Sequence, residues 1–527
     1  MRVHTHRPAW IAAAAALLAT SIVASAQTLR WAAKQDLLTL DPHSGIVIFT
    51  NMTLAQVYEG LVGRDKDLNF TPLLATEWMQ VNPLLWRVKL RTGVKFHDGS
   101  PFTADDVVFS IKRAQQPTAN QRNFAMPLGE PRKVDDFTVE FVLPEPIPIF
   151  LVNATQIFIM SKTWAEKNNA SVTPDFAAKE VQFTTSNTNG TGPYMLASRQ
   201  PDVKTTFKRN PNWWGKFDGN VQEVVFTPMA SDATRMSALL SGEIDFVHDP
   251  AQQDLPRLRT TPGFKVQDGM ANWIYYVGMD QDRDELLYSN VKGKNPFKDA
   301  RVRRALYHAV DAETLSAKVL GGQAFPTGSI TYSRQASFND PELERRLPFD
   351  LAKARTLLAE AGYPQGFEIT LDCSNILEPT CVALATMWSR IGVKVKPNVQ
   401  PVAIVAPKLQ KLDTSLYLGV YGGGSTDVEP LLRTMLRSRA GGGVGFNNFG
   451  NFKNPKLEEL AIASYKEADP AKREQLIRAI LREHNEQVHH IPLYRPGFPW
   501  AMRSNVTAVH RADTRLEWQW ITVDAKP

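Results

Sequence analysis

Few side chains in this chain have chemistry to offer. It holds two cysteines and ten histidines in 527 residues. Two cysteines are too few for a disulfide-dense scaffold or a Cys-rich zinc module. Nothing near Cys373 supplies an activating base, which argues against a catalytic thiol. His489 and His490 are adjacent, so they point different ways and read as structural residues, not as a metal pair. Gly441-Gly442-Gly443 does not open a helix after a strand and reads as a loop. No nucleophile elbow, HExxH or P-loop pattern occurs. Net charge is +6, from 60 basic and 54 acidic residues, too dilute over this length for a nucleic-acid footprint. The chain is 43% hydrophobic and 22% charged, the balance of a soluble globular protein.

Residues 1–26 read as an address. Arg2 and Arg7 precede an apolar run from Trp10 to Ala19, and Ala24-Ser25-Ala26 is a small-x-small cleavage site. The run is short and Ala-rich for a membrane anchor. No cysteine lies at the cleavage site, so no lipid anchor is expected, and a bacterial periplasm is the predicted destination. In such an oxidising compartment Cys373 and Cys381, eight apart, are expected to pair, the alternative being two buried free thiols.

The elements that position these residues alternate between strand and helix. Leu29 to Ala33 opens as a strand, and a helix is predicted over Met52 to Gly60. Trp86 to Leu90 and Phe137 to Phe141 alternate large apolar with polar residues, as half-buried strands do. Thr103 and Asp106 resemble a capping box. Further helices are predicted over Asp299 to Leu320, over Asp350 to Ala361 with Gly362 as its stop, and after Asp469-Pro470. Phe367 to Leu371 and Val393 to Lys396 read as strands beside them. Such alternation over this length means layered α/β domains, three or so by length.

Several blocks, in order, resemble the extracytoplasmic solute-binding family that includes bacterial dipeptide- and oligopeptide-binding proteins. They are Tyr58-Glu59-Gly60-Leu61-Val62, Pro72 to Trp78, Trp86 to Arg91, Gly93 to Gly99, Pro101 to Val107, Gly190 to Tyr194, Arg209 to Gly215 and Gly242 to Asp245. Each of these blocks reads first as structure; the Trp213-Trp214 pair is a core and turn feature before it is a ligand platform. The resemblance implies an α/β, two-lobed periplasmic-binding-protein fold, class II with an extra subdomain, whose lobes are joined by two crossing segments. Lobe one would take 27–57, 190–275 and 494–527, the extra subdomain 58–189, and lobe two 276–493.

The resemblance further implies a solute, most simply a di- or oligopeptide, enclosed as the lobes close. Relatives that bind nickel complexes, oligosaccharides, opines or glutathione define the alternative. A secreted hydrolase and a chaperone-like interaction protein are the remaining rivals. The expected partners are an inner-membrane ABC permease and its ATPase subunits. The receptor would be monomeric, without cofactor, metal, nucleic-acid partner or catalysis of its own. In peptide-binding relatives an acidic residue of a Gly-rich loop pairs with the ligand's ammonium. The comparable run is Tyr421-Gly422-Gly423-Gly424-Ser425-Thr426-Asp427-Val428-Glu429-Pro430. Asp427 is the first candidate for that anchor and Glu429 the second. A helix cap ahead of Pro430 is the other role open to Asp427. Gly423, Gly424, Ser425 and Tyr421 would frame the anchor. His43 and Ser44, in the first loop, Trp273 and Tyr275, near the first crossing, and the run from Tyr494 to Trp500, near the second, complete the expected cleft set.

Overall fold

The computed structural model describes residues 27–45, 48–176, 178–332, 340–422, 427–441, 443–467 and 469–525. The predicted signal segment therefore lies outside the described residues.

Two sheets organise the molecule. The first has seven strands, in the order Phe264–Gln267, Trp500–Arg503, Phe246–Val247, Thr28–Ala33, Glu223–Pro228, Lys204–Arg209, Tyr194–Gln200. The second has six, in the order Ala324–Pro326, His490–Pro496, Trp273–Met279, Leu416–Gly422, Glu368–Ser374, Lys394–Gln400. Thr28–Ala33 runs parallel to both its neighbours, and Glu368–Ser374 runs parallel to both of its own. Parallel strands need cover on both faces, and the residues oblige. Leu29, Trp31, Ala32 and Ala33 are buried, as are Ile369, Leu371 and Cys373. A four-stranded antiparallel sheet, Ala75–Asn82, Leu85–Leu90, Thr138–Val142 and Glu130–Asp135, carries the extra subdomain. Its own core runs from Leu61 to Ile159. Phe158, Met160, Ala165 and Ala170 pack instead into the lobe-one core, around Trp31, Phe226 and Trp518.

The two crossings explain the cleft. One leaves Gln267 and enters lobe two at Trp273; the other leaves Pro496 and returns at Trp500. Strand directions place both at the carboxyl edge of each sheet's parallel strands. Segments this short reach no further than roughly 20 Å, so the two carboxyl edges lie near each other. In open α/β sheets that edge is where ligands bind. The crossings are tied together by a Met270–Gly497 bridge and by Phe498 N donating to the Gly269 carbonyl at 2.8 Å. The boundaries expected at 275/276 and 493/494 fall inside strands. Tyr275 pairs with both Val420 and Tyr494, so 273–275 and 494–496 belong to the lobe-two sheet.

Two central lobe-two strands fit by exchanging bulk. Tyr276 faces Gly419 and Gly278 faces Tyr417. A Cβ on Gly278 would stand 2.0 Å from Tyr417 Cζ, and one on Gly419 2.2 Å from Tyr276 Cζ. Each glycine makes room for the ring opposite.

Several local predictions differ from the structure for identifiable reasons. The helix expected over 52–60 occupies Ile48–Leu54. It does not run on to Gly60: past Leu54 the Gln56 carbonyl accepts from Tyr194 N and the Val57 carbonyl from Gly192 N. The helix expected over 299–320 is broken once: Ala300–His308 is followed by a helical turn at Ala312–Thr314 that continues as π-helix over Leu315–Val319. Asp311 caps that turn by accepting from Thr314 N at 3.0 Å. Asp106 accepts from Thr103 N at 2.9 Å, and Asp350 and Asp469 cap Leu351–Glu360 and Pro470–Gln487.

Candidate functional site

The lobe-two wall begins where the Leu416–Gly422 strand leaves its helical cover. Leu416 to Gly419 are buried, Val420 is 43% exposed and Tyr421 half-buried. Trp273 lies across Gly422, its direct partner, whose added Cβ would meet Trp273 Cδ1 at 2.2 Å. Tyr275 stacks on Tyr494 at 5.0 Å between centroids, and Tyr494 Oη is hydrogen-bonded to Thr380 Oγ1 at 2.9 Å. Burial pushes the Tyr275 hydroxyl up to about 12, so it stays a neutral donor. Tyr421 Oη bonds Thr434 Oγ1 at 3.0 Å, and its ring leans on Tyr332.

Gly423, Gly424 and Ser425 lie outside the described residues. Asp427 follows them, and its carboxylate is committed. Arg473 Nη1 and Nη2 donate to it at 2.9 and 2.8 Å, and the Glu429 amide donates to Oδ1 at 2.8 Å. Tyr332 Oη donates to the Asp427 carbonyl. The side chain therefore caps the turn before Pro430 and is neutralised by a paired guanidinium. Glu429 is 5% exposed, and burial first, then the Asp427 charge, pushes its carboxyl up to about 7.

Across from this wall stands the extra subdomain. Between them opens a cleft of about 1450 Å³, with Trp86, Glu145 and Ile147 on one side and Asp427, Arg433 and Arg473 on the other. Tyr465 Oη donates to Glu145 Oε1 at 3.2 Å across it. Trp86, Glu145, Arg433, Tyr465 and Arg473 were not singled out by sequence reasoning. A signal existed for Arg473: a helix N-terminus disfavours cations, so an arginine at its first turn implies a nearby acid.

His43 and Ser44 stand in the interior of lobe one, not on the cleft wall. His43 has no exposed surface, and Ser44 has 1%. His43 Nε2 donates to the Phe158 carbonyl at 2.8 Å, so its Nδ1 accepts from Arg113 Nη1 at 3.0 Å. Burial, reinforced by Arg113, holds this imidazole neutral down to about 4. Arg113 in turn forms a fully buried ion pair with Asp41, which also accepts from the His43 and Ser44 amides. These residues are spent on a buried network that fixes the first loop.

The other chemistry-bearing residues are structural as well. Trp213 and Trp214 both donate their indole N–H to Glu59, at 3.1 and 2.9 Å. Cys373 and Cys381, both fully buried, form a disulfide between the carboxyl end of Glu368–Ser374 and the first turn of Glu378–Ser389. His489 stacks on Phe452, while His490 meets His484 Nε2 at 2.9 Å. Among the described residues no group of three or more His, Cys, Asp or Glu is placed to hold a metal ion. No described helix is long and apolar enough to cross a membrane.

The chain is 26% identical to the periplasmic oligopeptide-binding protein OppA of Salmonella typhimurium, over 91% of this chain and 92% of that one. It is 28% identical to heme-binding protein A of Haemophilus influenzae, over 78% and 76% of the two chains. The solved structure of HbpA2 from Haemophilus parasuis superposes with a TM-score of 0.81 at 22% identity, covering 94% of this chain and all of that one. Residues 69–443 match the profile of bacterial extracellular solute-binding proteins, family 5, in its middle region. The chain belongs to this family of extracellular solute-binding proteins.

Proposed function

We propose that this chain is the receptor of an ABC importer. It captures a small organic solute in the cleft between its lobes and hands it to an inner-membrane permease with its ATPase subunits. The observation that carries the reading is the pair of short crossings joining the carboxyl edges of two separate sheets. That arrangement allows hinge closure without disturbing either core. Capture is by affinity and enclosure; the receptor needs no covalent chemistry, and ATP is hydrolysed by other chains. It works as an exported, unanchored monomer in the periplasm. A di- or oligopeptide is the first solute to test, in line with the oligopeptide-binding relative.

One observation favours a second reading, with the same role and a non-peptide solute such as glutathione, an opine, an oligosaccharide or a metal complex. Asp427 is already paired with Arg473, so a ligand ammonium would have to displace that guanidinium. Native mass spectrometry of protein purified from periplasm separates the two. A heterogeneous set of retained peptide masses supports the first reading. One non-peptide mass supports the second. Hydrolysis of a retained solute on incubation would overturn both.

A further inference from the structure

After Val506–Thr507 the chain runs as a strap over the junction of lobe one and the extra subdomain. It is pinned by Asn272 N, which donates to the Ala512 carbonyl at 2.9 Å, and by His248 Nε2, which donates to the Thr514 carbonyl at 3.0 Å. Arg511 Nη1 reaches the Arg64 carbonyl of the extra subdomain at 3.3 Å. Within this strap Thr514 has a φ of 60°, a left-handed backbone that a β-branched residue rarely adopts. Such strain persists where the surrounding structure imposes it, and it gathers at functional sites. The turn at Thr514 sets Asp513 and Arg515 on the wall of one small cavity.

The cavity holds about 100 Å³, room for one small oxyanion or a few water molecules. Three guanidinium groups line it, Arg64, Arg511 and Arg515, with three carboxyls, Glu59, Asp513 and Glu517. Most of these charges are spent. Arg511 forks onto Asp513 through Nε and Nη2, and its Nη1 donates to Glu517 Oε1 at 3.1 Å. Glu517 Oε2 also accepts from Gln56 Nε2 at 3.0 Å. Glu59 accepts from two indoles and a hydroxyl, and burial keeps its proton on up to about 7. With Glu59 neutral, the lining carries one positive charge in excess. Arg515 is the cation least committed: its ion pair is a long one, 3.8 Å to Asp513 Oδ2, an oxygen that already serves Arg511. Its side chain is 20% exposed. Burial, reinforced by Arg515 and Arg511, pulls the neighbouring Arg64 guanidinium down to about 10. A cation cluster at a roofed cavity is stabilised by an anion inside it.

We propose that this cavity is a small-oxyanion site, in which Arg515 anchors a carboxylate or phosphate group and Arg64 supports it. A guanidinium matches two oxygens of either group with parallel hydrogen bonds, and one bound monoanion makes the lining neutral. All the lining residues belong to lobe one and the extra subdomain, so the site stands apart from the reading of the interlobe cleft. The group has two sources, a free anion or the carboxylate of a solute, and the test separates them.

The first arm titrates inorganic phosphate and acetate into the exported protein by calorimetry, at pH 6 in constant chloride, after any retained solute is removed. The second compares the thermal shift given by trialanine with that given by trialaninamide, which lacks the carboxylate. Wild type is expected to bind one of the free anions saturably, or to prefer trialanine over its amide. Arg515→Gln should weaken that binding, or shrink that preference, by about tenfold or more, because a hydrogen-bonded charge is lost. Arg515→Lys, which keeps the charge without the fork, should lose less. Arg132→Gln, an exposed position on the outer strand of the extra subdomain, should behave as wild type. Binding of a free anion that is lost in Arg515→Gln assigns the site to a free anion. A preference for trialanine that is lost in Arg515→Gln, without free-anion binding, assigns it to the solute. Wild type that shows neither effect, or an effect unchanged in Arg515→Gln while that variant keeps the wild-type Tm, would overturn the site. Arg515→Gln that loses its fold passes the same decision to Arg515→Lys, whose binding must then fall below that of wild type.

Discussion

The carboxyl of Glu59 offers a direct test of how this protein is held together. It is 4% exposed and accepts from Trp213 Nε1, Trp214 Nε1 and Thr191 Oγ1. It thereby joins the first turn of the extra subdomain to two segments of lobe one. Burial pushes its pKa from an ordinary 4.5 up to about 7, against the three hydrogen bonds that favour the charged form. The folded state therefore holds this proton more tightly than the unfolded chain. The resulting stability is complete below 4.5 and is lost as the pH rises through about 7. At about 1.36 kcal/mol per pH unit of difference the full loss is about 3.4 kcal/mol, of which about 2.5 falls between pH 5 and pH 8. Glu59→Gln has no such proton. Its amide must turn a donor toward an indole or a hydroxyl that also donates, which costs about 1–3 kcal/mol at any pH. The variant should therefore be less stable than wild type at pH 5 and draw level near pH 8. Urea unfolding at four pH values measures this difference, followed by the fluorescence of Trp213 and Trp214 beside the substitution. A stability difference between variant and wild type that is flat from pH 5 to 8 would refute the assignment of a neutral, buried Glu59.

Other substitutions read different parts of the molecule. Gly278→Ala should lower stability by about 1–3 kcal/mol through overpacking against Tyr417, seen as a fall in Tm, and a second change of Tyr417→Leu should recover part of it. Asp427→Asn and Arg473→Gln, alone and together, should show a coupling of about 1–2 kcal/mol in a double-mutant cycle of unfolding free energies, because the pair is bidentate and half-buried. A coupling of zero would mean that the pair does not hold the turn at Asp427. His43, His97, His248 and His484 are each held near 4, chiefly by burial, so they are neutral when folded. Their contribution is complete above about 6.5 and lost as the pH falls through 4, up to about 3 kcal/mol for each. Wild type should accordingly lose stability steeply below pH 6, and His248→Gln should show a shallower acid limb in the same urea series.

The reach of sequence reasoning can be judged element by element. The Asp350, Asp469 and Thr103–Asp106 helix starts, the strand at Thr28–Ala33 and two of the four strands of the extra subdomain's sheet, Leu85–Leu90 and Thr138–Val142, were legible. Each depends on apolar period and on a cap within three or four residues. The resemblance to the solute-binding family was legible for a related reason: its blocks are runs of turn, cap and core residues that build the fold. Where a helix stopped was less legible. At Gln56 and Val57 the carbonyls are taken by residues 192–194, which no local pattern announces.

The site was the least legible part. Asp427 looked free because its partner Arg473 lies 46 residues on, and Tyr465 meets Glu145 across 320 residues. His43 looked like a loop residue at a cleft, but Asp41, Arg113 and Phe158 enclose it completely. The sequence alone determined the family, the α/β layering and the starts of the helices, because propensity, periodicity and capping act between near neighbours. Only the tertiary structure decided which charges are spent on each other and which apolar residues stay open to the cleft, because burial and pairing depend on chain segments that meet only after folding.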